Sequence, residues 1–599
     1  MKIRGYQHRH TKLEITFLML TVVMMFSYIA LATWANTDLS AGRFALFMDE
    51  RITFDGVRHI LHPKSIKDFL ISIVHGGDHR YGRSLWNSIA FFSFVPEQIW
   101  GESGQIIADR MAQVLILSTA FFLLTITFAK HWAMRFLLLA TLLAMPYSEY
   151  FMAMPKPEPQ QIFFLAAFFF FFKKNNMHLF GWYWILLGLA FGTKISTLPL
   201  VIIIIATVLL NNRVPGQFKR AASEMTGAFG YFLLGLVIAV PILLPHLLLS
   251  FILYKLINNY FAKKNNIWQW TEWIVILSLV IFNIIASALL ALKFKLKIPL
   301  AIWIKSTFLN TAHGSDSASI NFISWLDFLF KDWLIAPVAL SGVLLIVSGL
   351  LCLQFAYSHF KKTSQLSIPV IVLLAGLALN MSIFFGAHRL WGHYLFPGTL
   401  LMMVGLLSIA EMGVSYASIN GNISHFNRKF AYNLSVLTIL MIGMFTFIWW
   451  TPHAYSKFNE NASRTATVEY QKQYQSYLEI NAFLDKEFRK KNKKLTVAFD
   501  PWLFIPSSNS QYEITEFWGP FTQWQEKPDV IVMSDYRRKG QNYPVSSPEN
   551  RDFMIEQEGI NKHIESGGHS CIESFCYKIS LKLPIGGEIL ILSDKSPRG

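Results

Sequence analysis

The sequence predicts a polytopic α-helical membrane protein of about 13 spans that ends in a small extracytoplasmic α/β domain. Three observations predict it. First, 53% of the 599 residues are hydrophobic and only 15% are charged, with a mean hydropathy of +0.38, whereas soluble domains carry about 25% charged residues. Second, apolar stretches near the length of roughly 20 residues that a bilayer requires recur along residues 1–450. Third, residues 451–599 hold 19 basic and 19 acidic side chains, the mixed composition of a solvated domain.

The first apolar stretch, about 15–34, follows the basic start MKIRGYQHRHTKLE, which holds the N-terminus in the cytoplasm. It lacks a small-residue cleavage site and reads as a retained span. A polar loop over 35–107 follows on the outside, with seven basic and eight acidic residues. Its aromatic run IAFFSFVPEQIW (89–100) suits a short helix lying in the interface. Further apolar stretches fall near 111–129, 136–152, 160–172, 179–192, 195–210, 226–253, 272–292, 297–310, 334–357, 367–387, 394–411 and 431–450. Those at 160–172, 179–192 and 297–310 are short and suit broken helices buried in protein. KHWAMR, KKNN, NNRVPGQFKR, KFKLK, HFKK and FNRKF lie inside; KLINNYFAKKNN (255–266) breaks the rule and lies outside. Thirteen crossings leave the C-terminus external. There, 465–494 reads as a polar helix and LTVAFD, VIVMSD, CYKISLKL and EILILS as strands, the last two joined by a tight turn at PIGGE. The division is therefore a membrane domain, 1–450, and a soluble domain, 451–599.

The net charge of +16 does not indicate nucleic acid, because the C-terminal domain is balanced and the excess sits in the membrane portion. Lys and Arg next to anionic lipid account for it. Of three cysteines, Cys352 lies in an apolar span, while Cys571 and Cys576 in CIESFC make a disulfide if the domain faces an oxidising compartment. His563 and His569 nearby have weak spacing for a zinc site.

Five motifs carry chemistry. FMDERITFDG (47–56) places Asp49 and Glu50 just outside the first span, in a loop at the water–lipid boundary, where a carboxylate can serve as a proton acceptor. The plain alternative is a solvated loop with a salt bridge to Arg51 or Arg58. HGGDHRYGRSLWN (75–87) offers Arg80 and Arg83 to phosphate oxygens, or to lipid headgroups as anchors. YSEYFMAMPKPEPQQ (147–161) holds Lys156 and Glu158 on a proline-stiffened extended segment; Lys156 suits phosphate, and Glu158 an acceptor or a divalent metal. LLGLAFGTKISTLPLV (186–201) puts Lys194 between two apolar stretches, which is costly without an anion. GAHRLWGHYLFPG (386–398) gathers His388, Arg389, His393 and Tyr394 at an external span boundary, a set suited to a polyprenyl phosphate headgroup.

Together these motifs resemble the GT-C glycosyltransferases, and within them the protein O-mannosyltransferase and aminoarabinose (lipid A) transferase type. The resemblance rests on Asp49–Glu50, on KPEP (156–159), on GLAFGTK (188–194) and on HYLFPG (393–398), and it covers most of residues 1–450. It implies a polyprenyl-phosphate sugar donor and an inverting transfer outside the cytosol to a glycan, lipid or protein. It also implies that Asp49 is the base and that Lys194, Arg389, His393 and Tyr394 lie near the donor. The family's frequent Lys-Pro-Pro segment in the first loop is absent, with HRYGRSLWN in its place. A metal is not required where cations suffice, and Glu158 leaves that option open. Rival expectations are a polysaccharide polymerase or ligase working through late-loop arginines, and a lipid or solute transporter. The transporter would need mid-membrane ionisable residues and inverted repeats, which the sequence lacks. The expected location is the bacterial inner membrane, with the site and the C-terminal domain facing outward.

Overall fold

A computed structural model describes residues 2–37, 48–75, 83–145, 147–175, 181–211, 215–261, 272–294, 366–382, 392–420, 468–499, 503, 510–516, 528–534, 570–572 and 575–593. The chain forms two compact units: a helical one from 1–34 with 56–311 and 320–458, and a second from 459–599 with 35–55 and 312–319.

Helix α1 (Lys2–Thr37) contains the apolar span Glu14–Trp34, only 11% of which is buried. Its outward Met19, Val23 and Phe26 suit a lipid-facing helix. α2 (Met48–Leu61), whose residues 48–55 with the acidic pair belong to the second unit, and the short α3 (Ile66–His75) occupy the expected loop. The acidic pair therefore stands on a helix, which corrects its placement in a loop. The reason is a buried stripe of Glu50, Thr53, Phe54, Val57 and Ile60 at helical spacing, which a polar-rich segment disguises.

α4 (Ser84–Phe128) is two limbs, 84–100 and 102–128, joined at Gly101 with φ +63° and ψ −145°. That conformation is open to glycine and strained for other residues. The first limb exposes Phe91, Phe92, Phe94, Val95, Ile99 and Trp100, an apolar surface open to lipid. An apolar cleft of about 560 Å³ beside the bend is walled by Phe92, Pro96, Trp100, Gly104, Met111 and Leu115. α5 (Trp132–Ala144) and α6 (Ser148–Ala153) split the expected stretch 136–152 at Tyr147, a left-handed residue with φ +71°. The opening backbone of α5 is held by distant carboxylates. Glu411 accepts from the Lys130 and His131 N–H groups at 3.0 and 3.1 Å, and Glu14 accepts from Trp132 N–H at 2.8 Å.

α7 (Pro157–Lys174) begins inside the segment expected to be extended. Only its flank, Met154 and Lys156, is extended. Pro157 and Pro159 sit where a helix leaves its first N–H groups unused, so they start the helix instead of preventing it. Its phenylalanines form a core in which Phe168 stacks on Phe172 at 5.3 Å and meets Trp184 edge-on at 5.6 Å. Lipid is as apolar as these rings, so ring geometry of about 0.5–1.5 kcal/mol per pair, more than water exclusion, favours this packing.

α8 (Trp184–Thr193), a 3-10 turn (Ile195–Thr197) and α9 (Leu198–Asn211) follow. α8 crosses α10 (Pro215–Ala239) at two glycines: a Cβ on Gly188 would lie 2.0 Å from the Phe232 carbonyl, and one on Gly235 2.0 Å from that of Ile185. α10 and α11 (Leu244–Phe261) meet across a 3-10 turn (Pro241–Leu243), and their apolar parts are bent by 118°. α12 (Glu272–Lys293), α13 (Ile368–Ser382) and α14 (Gly392–Asn420) complete the described helices of this unit.

Among the described residues, two helices, Glu14–Trp34 and Ser84–Phe128, are long and apolar enough to cross a membrane, or three if the bent pair counts as one. The count of thirteen is not met there: breaks at Tyr147, Lys194 and Val240 shorten several stretches. Those at 297–310, 334–357 and 431–450 lie outside the described residues.

The second unit contains α15 (Val468–Lys491) and strands β1 (Leu495–Phe499), β2 (Tyr512–Glu516), β3 (Val530–Ser534), β4 (Ser570–Ile572), β5 (Phe575–Lys582) and β6 (Gly587–Ser593). The sheet order is β2-β1-β3-β6-β5-β4. β1 pairs in parallel with β2 and β3, and the remaining pairs are antiparallel. Alternation sends Val497, Phe499, Val530 and Val532 to a face packed with Ile480 and Leu484 of α15, and Ala498, Ile531 and Met533 to the other.

Candidate functional site

The start of α7 and the end of α8 build a buried charged site in the helical unit. Glu158 lies in the first turn of α7, where helix dipoles favour an acid, and Lys194 lies just past α8, where they favour a cation. The two side chains, 1% and 10% exposed, form an ion pair and a hydrogen bond. The Lys194 ammonium also sits 4.6 Å from the Tyr394 ring centroid, a cation–π contact supplied by the first turn of α14. Lys156, buried at the entrance to α7, lies within Coulombic reach of Lys194. Two ammonium groups and one carboxylate therefore share a space that water scarcely enters.

Short polar side chains fix this junction. Thr197 donates to the Lys194 carbonyl at 2.7 Å, and Gln161 donates to Thr197 at 2.6 Å. Ser84 and Thr193 share a hydrogen bond of 2.8 Å, and Gln160 donates to the Ser84 carbonyl at 3.1 Å and to the Ser88 hydroxyl at 2.8 Å. These residues escape sequence reading. The signal was there in the QQ after KPEP and the ST after GTK, polar residues that an apolar environment tolerates only when bonded.

Arg83 is buried immediately before α4. Its backbone N–H donates to the Ala239 carbonyl at 2.7 Å, its Nη2 donates to the Ser72 carbonyl, and its guanidinium stacks on Trp86 at 4.4 Å. Burial pulls the guanidinium down to about 9, so it is charged at neutral pH. Nε and Nη1 have no hydrogen-bond partner among the described residues. The side chain thus ties α3 to the start of α4, and the backbone N–H ties that start to the end of α10.

Asp49 and Glu50 occupy the first turn of α2, with Glu50 buried. His393 lies with Tyr394 in the first turn of α14. Arg80, His388 and Arg389 lie outside the described residues, as do His563 and His569. Cys576 is disulfide-bonded, and Cys571 is its Cα partner across β4 and β5. Among the described residues no three His, Cys, Asp or Glu side chains cluster as a metal site would require. Glu158 pairs with Lys194.

No protein-family model matches the chain, and no curated protein matches its sequence. Among solved structures it is similar to the Archaeoglobus fulgidus oligosaccharyltransferase, a complex with Zn and sulfate, at a TM-score of 0.46 and 12% identity over 96% of this chain and 73% of that one. It is also similar to ArnT from Cupriavidus metallidurans bound to undecaprenyl phosphate, at a TM-score of 0.42 and 10% identity over 95% of this chain and 97% of that one. The apo form of that ArnT gives a TM-score of 0.41 and 9% identity over the same shares.

Proposed function

We propose that this chain is a membrane glycosyltransferase that moves a sugar from a polyprenyl-phosphate donor to a hydroxyl acceptor outside the cytoplasm, with inversion. The observation that carries the reading is the buried Lys194–Glu158 pair beneath Tyr394, with Lys156 nearby. A lysine sealed among apolar helices is costly without an anion; Glu158 is that anion in the resting site, and the phosphate monoester leaving group of this reaction needs the same kind of cation. Lys194 and Lys156 take that charge, and Arg83 supplies further donors. Arg80, Arg389, His388 and His393 are proposed for the same donor.

In the reaction, Asp49 accepts the acceptor's hydroxyl proton as its oxygen attacks the anomeric carbon from the face opposite the phosphate. The bond between that carbon and the phosphate oxygen breaks, and its electron pair leaves with the polyprenyl phosphate. Glu50 supports Asp49 on the same helical turn. Glu158 holds Lys194 in place and neutralises it until the donor arrives. The apolar cleft beside Gly101 suits part of the carrier's hydrocarbon chain. The acceptor is a glycan, a lipid or a protein on the outer side.

The test is mass spectrometry of surface glycans and lipid-linked sugars from cells with the gene, without it, and with Asp49→Ala. A sugar on an acceptor that disappears in both altered strains, while its lipid-linked precursor accumulates, supports the reading. Product retained with Asp49→Ala points instead to a polymerase or ligase using other residues. An unchanged glycan and lipid-linked pool in the deletion removes the reading.

A further inference from the structure

Three helix ends of the first unit meet in one basic platform. The apolar run of α4 stops at Phe128, α5 opens at Trp132, and α7 closes on Lys173 and Lys174. Lys173 donates to the Thr127 carbonyl and lies 5.9 Å from the Phe128 ring centroid, which ties the end of α7 to the end of α4. Lys130 and Arg135 lie within Coulombic reach of Lys173. Lys130, His131, Lys173 and Lys174 are exposed, and Trp132 and Arg135 are half-buried.

Two carboxylates, Glu411 and Glu14, share the platform and serve its backbone. Glu411 accepts from the Lys130 and His131 N–H groups, and Glu14 accepts from that of Trp132 and lies 3.5 Å from His131 Nδ1. Arg135 Nε donates to the Ala129 carbonyl at 3.1 Å, and the guanidinium lies 4.4 Å from the Trp132 ring centroid. Neither its Nη groups nor the Lys130 ammonium bond to another described residue. Lys130, Arg135 and Lys173 thus set three cations against two carboxylates. Like charges held together cost energy unless an anion joins them. The surplus matches a phosphodiester, and the planar edge of Arg135 suits its oxygens.

Depth names the source of that anion. Lys130 follows an apolar span by two residues, and Lys173 follows Phe172 directly. Such positions stand where hydrocarbon gives way to headgroups, the level that a Trp ring also favours. We propose that Lys130, Arg135 and Lys173 bind the headgroup of an anionic phospholipid, with Trp132 as the aromatic wall of the site. It lies at the opposite end of α7 from Glu158 and does not depend on the transfer reaction. Convergence of cations from α7 and from both ends of the α4–α5 connection distinguishes it from a scatter of loop charges.

The test measures lipid binding to the purified full chain by native mass spectrometry, and its melting in detergent, with phosphatidylglycerol, phosphatidylcholine or inorganic phosphate added. Wild type is compared with Lys130→Gln, with Lys130→Gln plus Arg135→Gln, and with a control, Lys64→Gln plus Lys67→Gln, that removes two exposed cations at α3. Phosphatidylglycerol is expected to bind wild type more tightly than phosphatidylcholine and to raise its melting temperature, as a ligand of the folded state does. One basic side chain near a lipid surface is worth roughly a five-fold change in affinity, so the single variant is expected to lose roughly five-fold and the double variant roughly 25-fold. Phosphatidylcholine binding stays unchanged, and the control keeps the wild-type preference. Equal binding of both lipids to wild type, or a preference that survives in the double variant, overturns the site. A loss in the control equal to that in the double variant reduces the platform to general surface charge and overturns it too. Inorganic phosphate raising the melting temperature as much as phosphatidylglycerol assigns the cations to a soluble anion and overturns the lipid. If the double variant does not reach the membrane, Lys130→Gln decides, since that ammonium bonds to no other described residue.

Discussion

Lys194 illustrates how one residue joins stability to chemistry. It closes α8, reaches Glu158 at the start of α7 and lies against Tyr394. Removing one partner of such a pair strands the other charge, at a cost of about 3–5 kcal/mol, whereas replacing both by apolar residues is often neutral. Lys194→Ala is therefore expected to lower both thermal stability and transfer. Lys194→Met with Glu158→Leu is expected to regain the stability but not the transfer; detergent-solubilised melting and product measurement separate the two. Full transfer in the double variant would contradict the role given to Lys194. The position is legible from sequence because a lysine between apolar stretches has few uses. The Ser84–Thr193 and Gln161–Thr197 bonds around it are not, since hydroxyl and amide groups carry no spacing rule that distinguishes buried from exposed. Asp529 in the second unit gives a pH test. Burial alone would raise its carboxyl, but hydrogen bonds from Lys493, the Thr496 backbone and Lys491 outweigh burial and hold it below the usual carboxylate range. A carboxyl lowered by folding contributes stability above its unfolded value, about 4, and loses it as pH falls through its folded value. Asp529→Asn should thus expose the β1 and β3 amides to hydrogen exchange at pH 7, with the difference from wild type narrowing below pH 4.

The elements of the helical unit are fixed by close contacts that composition hides. α8 and α10 cross through Gly188 and Gly235, where a side chain would strike backbone carbonyls. Gly188→Val is expected to separate this crossing and lower the melting temperature by several degrees, consistent with overpacking costs of about 1–3 kcal/mol. The start of α5 depends on a different device, the Glu411 carboxylate that caps Lys130 and His131. Glu411→Ala should cost about 0.5–2 kcal/mol, as loss of a helix cap does, with hydrogen exchange rising first at residues 130–135. The sequence shows the apolar character of these helices but not their breaks. The stretch 226–253 reads as one span, yet Pro241 follows a residue that has left the helix, and the chain turns sharply there. α2 is hidden for the opposite reason: its buried stripe includes Glu50 and Thr53, so its periodicity is weaker than its packing. The strands of the second unit are more legible, because β-branched runs bounded by Gly, Pro and Ser coincide with β1, β3, β5 and β6.

At the scale of the whole molecule the proposal depends on sidedness. The proposed reaction requires the basic N-terminus and the loops at 130–135 and 173–176 to face the cytoplasm, and the first loop to face the other side. Single cysteines at Lys130 and at Lys493, whose side chain is 61% exposed, should react oppositely with an impermeant maleimide added to intact cells: Lys493→Cys labelled, Lys130→Cys protected until lysis. The reverse pattern would place the acidic pair in the cytosol and remove the transfer reaction. The most direct test of the central claim is turnover of polyprenyl-phosphate-linked sugar by purified wild type, Asp49→Asn and Lys194→Ala. The account predicts release of polyprenyl phosphate by wild type, with both variants reduced at least about 100-fold, as loss of a base or of charge stabilisation requires; turnover undiminished in both variants would contradict it.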